Sequence, residues 1–62
     1  MGEIMDRIAG VIDSLDNIRA AMDLPMPADV HMGILRESIP MLREELRMAY
    51  IALGGEDYWA HP

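Results

Sequence analysis

A pair of heptad seams, one on each side of a proline-rich break, constrains this chain more than any other feature. Ile4, Ile8, Val11, Leu15, Ile18 and Met22 follow one another at alternating intervals of four and three residues, and Met32, Leu35, Ile39, Leu42, Leu46, Ala49 and Leu53 do the same beyond the break. Such alternation holds side chains on one stripe of an α-helix, whereas a strand requires a period of two. The pattern predicts an all-α chain of two amphipathic helices. The break, Leu24-Pro25-Met26-Pro27-Ala28, is short enough to turn them into an antiparallel hairpin.

Local signals place the ends. The first helix is expected over 3–23, with Glu3 and Asp6 in the first turn, where the helix dipole favours negative charge. Glu3–Arg7 and Arg19–Asp23 have the spacing of i,i+4 ion pairs. Gly10 inside this helix reads either as a tolerated surface position or as a point of close approach by a second helix. The second helix is expected over 27–53, with Pro27 at its first position and Gly54 as a left-handed C-cap. Pro40 falls within it, beside the seam. Because the seam keeps its phase from Leu35 to Leu46, Pro40 is expected to kink one helix around its partner. The competing reading is a break at Ser38 that starts a third helix. Residues 1–55 thus form the hairpin, and residues 56–62 (Glu-Asp-Tyr-Trp-Ala-His-Pro) have no helical period and read as an acidic, aromatic tail.

A chain of 62 residues is one domain, and a core at this size rarely supplies more than about 3–5 kcal/mol. With no Cys and no His and acid cluster at metal spacing, neither a disulfide nor a metal is expected to add to it, which leaves oligomerisation. The apolar surface also exceeds one stripe per helix. Met5 and Ile12 lie beside the first seam, and Val30, Ile34, Met41 and Met48 flank the second. Exposed patches of that extent mark interfaces. The chain is therefore expected to dimerise into a four-helix bundle, with Met5, Ile12, Ile34, Leu42 and Leu46 at the oligomer interface.

The net charge of −6, from eleven acidic residues against five Arg and no Lys, argues against nucleic acid and against anionic membranes. No apolar run approaches a transmembrane length and no signal peptide is visible, so a cytoplasmic location is expected. Seven Met, an interior Pro and Gly inside both helices are choices that idealised sequences avoid.

Catalysis has little support. His31 and His61 are far apart, Ser14 and Ser38 lie in no nucleophile motif, and Gly54-Gly55 is a helix stop, not a phosphate loop. A non-enzyme with no cofactor and no metal is expected. The positions suited to a protein partner are Met41 and Met48, whose flexible thioethers adapt to varied surfaces, and Tyr50, Tyr58 and Trp59, of the types that dominate binding hot spots. The competing reading, favoured because burying one Trp is a large gain for so small a core, is that Trp59 folds back and caps the bundle. Arg36 and Arg43 have no acidic partner at i±3 or i±4 on their own helix, and Arg7 and Glu45 fall on facing flanks of an antiparallel hairpin. The resulting expectation is a small homo-oligomeric interaction module that regulates or inhibits a protein partner, in the style of small regulators of mobile elements such as phages. A purely structural assembly unit and a sponge for a small anion or nucleotide are the alternatives.

Overall fold

The computed structural model describes residues 2–60 and is all-helical, with α1 over Glu3–Met22, α2 over Ala28–Ala52 and a short 3-10 turn at Tyr58–Ala60. Met1, and the last two residues of the expected tail, His61 and Pro62, lie outside the described residues. α1 closes at Asp23, whose N–H donates to the Ala20 carbonyl, and Leu24 N–H donates to Ala21. Pro27 is the N-cap of α2, with extended ψ of 147°. Its carbonyl accepts from the N–H groups of Val30 and His31 at 3.0 and 3.2 Å. Having no N–H of its own, Pro27 leaves no donor unsatisfied there.

α2 runs unbroken through Pro40, which excludes a separate third helix starting at Ser38. Pro40 lies on the exposed side, so the Arg36 carbonyl that loses its helical donor can turn to water. The two helices pack against each other as a hairpin, and Arg7 near the start of α1 bonds Glu45 near the end of α2 at 2.7 Å, which fixes the antiparallel sense. Arg7 thus takes its partner from across the hairpin and not from Glu3, and Arg19 makes no ion pair with Asp23.

The core is thin. Among the described residues, only Val11 at 3%, Leu42 at 6% and Ala49 at 3% relative exposure are buried. From α1, Ile4, Ile8, Ile18 and Met22 are partly covered, as the seam predicts, but Leu15 is half-exposed. On α2 the seam holds at every second position. Leu35, Leu42 and Ala49 are covered, whereas Met32, Ile39, Leu46 and Leu53 are exposed; His31, Ser38 and Glu45 are partly covered in their place. Both sets have the three-and-four spacing and they share Leu35, Leu42 and Ala49. Around these three shared positions, α2 therefore turns His31, Ser38 and Glu45 toward α1 and leaves Met32, Ile39, Leu46 and Leu53 outside.

Gly10 does not mark a close helix approach, since a Cβ there would meet nothing within 4 Å. His31 is less well placed: its Nε2 is buried without a hydrogen-bond partner among the described residues. A buried unsatisfied polar atom costs about 1–3 kcal/mol. His31→Leu is expected to raise stability by about 1 kcal/mol, read as a higher urea midpoint. A lower midpoint would mean that Nε2 has a partner in solution.

Candidate functional site

Two features stand out from the hairpin: a folded aromatic corner at its C-terminal end, and a pair of unlike sides. The corner begins at the end of α2. Gly54 has φ +102°, a conformation with a steric cost for any residue bearing a Cβ. Its N–H donates to Ile51, and the Gly55 N–H donates to Tyr50 at 3.0 Å. These two bonds form a Schellman motif, which satisfies the last carbonyls of the helix and reverses the chain. Gly55 is needed for a different reason: a Cβ there would fall 2.2 Å from the Tyr50 ring.

The reversed segment then lies back on α2. Arg47 donates from Nε to Asp57 Oδ1 at 3.0 Å and from Nη2 to Asp57 Oδ2 at 2.5 Å, a bidentate pair, and also bonds Glu44. The hydrogen bond to Asp57 holds the Arg47 pKa above its ordinary value. Trp59 meets Tyr50 edge-to-face at 5.4 Å and 78°, and Tyr58 at 6.0 Å and 84°. The Arg43 guanidinium lies 5.9 Å from the Trp59 ring centroid, within cation–π range. Residues 56–60 are therefore a docked segment and not a free tail. The Gly-Gly stop was visible in the sequence; the bidentate Arg47–Asp57 pair, ten residues apart across that stop, was not singled out there. Trp59 remains 46% exposed and Tyr58 is more exposed still, so the corner presents aromatic area as well as packing it.

The hairpin is a slab of 41 × 33 × 10 Å, about one helix thick, so it has two broad sides. One side carries a groove lined by Asp6, Arg7, Gly10, Ser14, Met41 and Glu45. It is mixed in polarity, and Met41 is exposed there; helical spacing puts Ile34 and Met48 on the same flank of α2. The opposite side carries Met5, Ile12 and Leu15 of α1, and Met32, Ile39 and Leu46 of α2, all exposed. The aromatic corner sits at the edge of this second side, where Arg43, Leu46, Arg47, Tyr50 and Trp59 line a shallow groove.

The expected interface residues are thus not on one surface. Met5, Ile12 and Leu46 share the apolar side, Ile34 is on the other, and Leu42 belongs to the hairpin's own core. Of the expected partner-binding residues, Tyr50, Tyr58 and Trp59 come together in the corner, while Met41 and Met48 lie on the mixed side.

Among the described residues, no group of three or more His, Cys, Asp or Glu is placed to hold a metal ion, and no helix is long and apolar enough to cross a membrane. Arg19, Arg36 and Arg43 make no ion pair among these residues. Compared with protein-family models, curated proteins and solved structures, the chain has no match.

Proposed function

We propose that this chain is a protein-interaction module: an acidic helical hairpin that self-associates into a four-helix bundle and, in that form, binds another protein and alters its activity. The observation that carries the reading is the inversion of the usual burial. Among the described residues, fourteen large apolar or aromatic side chains are exposed against three buried apolar residues. Scattered exposed apolar residues are ordinary, but contiguous ones on both sides of so thin a slab call for cover. The surfaces offered to the other protein are Met41 and Met48 on the mixed side and the corner of Tyr50, Tyr58 and Trp59.

Sedimentation equilibrium and thermal melts over a concentration range test self-association. For a dimer of this size, each tenfold dilution is expected to lower the melting temperature by about 5 °C. A monomer mass with a concentration-independent melt would remove the reading. Pull-down from a host lysate tests the second half: a discrete protein should be retained by the intact chain and lost with Met41→Glu/Met48→Glu or Trp59→Ala. A large homo-oligomer that retains nothing would instead mark a structural assembly unit.

A further inference from the structure

We propose that a second copy of this chain covers the side formed by Met5, Ile12 and Leu15 of α1 and Met32, Ile39 and Leu46 of α2. The inference rests on the self-association reading and names the surface and the occupant. Three observations carry it.

First, α2 holds two overlapping stripes and turns the wrong one inward. The stripe toward α1 includes His31, Ser38 and Glu45; the stripe left outside replaces them with Met32, Ile39 and Leu46. In a hairpin that acted alone, facing the polar stripe inward and the apolar one to water would forfeit burial. It is favourable only where another apolar surface meets the outer stripe.

Second, the areas match. The chain exposes 4994 Å², whereas a compact folded protein of 7.0 kDa exposes about 4,000 Å². The excess of about 1,000 Å² is close to the roughly 800 Å² that each partner buries in a stable interface of standard size.

Third, the occupant must be present whenever the chain is folded, because the three residues buried among those described are too small a core to stand without cover. A copy of the same chain meets that condition, and it brings the same deficit and the same patch. A two-fold interface needs one self-complementary surface. Helical spacing places both charge signs around the rim, with Arg36 and Arg43 on α2 and Asp16 and Asp29 at the outer margins of the same side. Two copies can therefore set Arg against Asp.

Ile39 and Met41 make a matched pair for the test. They are two residues apart on α2, 58% and 56% exposed, and on opposite sides of the slab. The full-length chain and its Ile39→Glu and Met41→Glu variants are compared by sedimentation equilibrium. Ile39→Glu is expected to weaken self-association at least about a hundredfold by placing a carboxylate in a closed apolar interface, and Met41→Glu to change it less than about threefold. Because the Ile39→Glu chain could lose its fold together with its partner, alkylation of Ile39→Cys and Met41→Cys gives a second reading in a chain that has no other Cys. On raising the concentration through the association range, Ile39→Cys should react at least about tenfold more slowly and Met41→Cys at an unchanged rate. Self-association that Met41→Glu breaks and Ile39→Glu spares, or protection of Met41→Cys alone, overturns the choice of side while leaving self-association standing. A wild-type chain that is monomeric at every concentration overturns both.

Discussion

Leu42→Ala is expected to cost about 2–5 kcal/mol, the range for truncating a buried Leu, and to leave most of the chain unfolded at room temperature. Leu42 is the only large side chain of α2 that is buried, and it stands with Val11 of α1 at the middle of the hairpin. A core of this size supplies about 3–5 kcal/mol, so the loss is comparable with everything the core contributes. Far-ultraviolet circular dichroism should fall with it, because helices of 20 and 25 residues draw most of their stability from tertiary packing and not from propensity. Leu24→Ala is the matched control. Leu24 is exposed in the turn between the helices, and its truncation should shift stability by less than about 0.5 kcal/mol. Equal effects at the two positions would mean that Leu42 is not where the hairpin is held.

The same residue shows why the fold was legible and part of its burial was not. Periodicity identified both helices to within a residue at each end, because Pro25, Pro27, Gly54 and the first-turn acids are local signals with local causes. Leu35, Leu42 and Ala49 were placed in the seam correctly because they belong to both stripes of α2. Met32, Ile39, Leu46 and Leu53 were placed there because an apolar repeat says that a side chain is to be buried, and not against what. The hairpin by itself satisfies only part of that demand. Within the hairpin, Ser38 and Glu45 took the neighbouring positions, and Glu45 did so because it could reach Arg7. Residues 56–60 were read as a tail without helical period, with Trp59 either capping the bundle or anchoring a partner, and the way they dock was not legible for a related reason. Their order depends on a chain reversal at Gly54-Gly55 that sets Asp57 against Arg47, a pairing with no periodic signature.

Removing that corner is the other large expected effect. Deletion of residues 56–62 takes away the Trp59 contacts to Tyr50, Tyr58 and Arg43 and the Asp57 partner of Arg47, but no residue of either seam. The aromatic contacts and the half-covered Trp ring together are expected to contribute about 1–3 kcal/mol. At 4–8 °C per kcal/mol for a small domain, the melting temperature should drop by about 5–20 °C. Gly55→Ala should reproduce part of this without shortening the chain. Its Cβ would lie 2.2 Å from the Tyr50 ring, so the ring must swing away and lose its edge-to-face contact with Trp59. Trp59 emission in the variant should shift to the red and acrylamide should quench it more readily. Unchanged emission together with an unchanged melting temperature would show that the corner is not docked in solution. The corner's two roles separate in the deletion and in Trp59→Ala. If it only caps α2, stability falls and a partner captured by the intact chain is still bound with full affinity by the fraction that remains folded. If Trp59 is also an anchor, affinity falls by at least about 2 kcal/mol, the level of a binding hot spot. Both effects are expected, because Trp59 buries one part of its ring on Tyr50 and leaves 46% of its surface to face a partner.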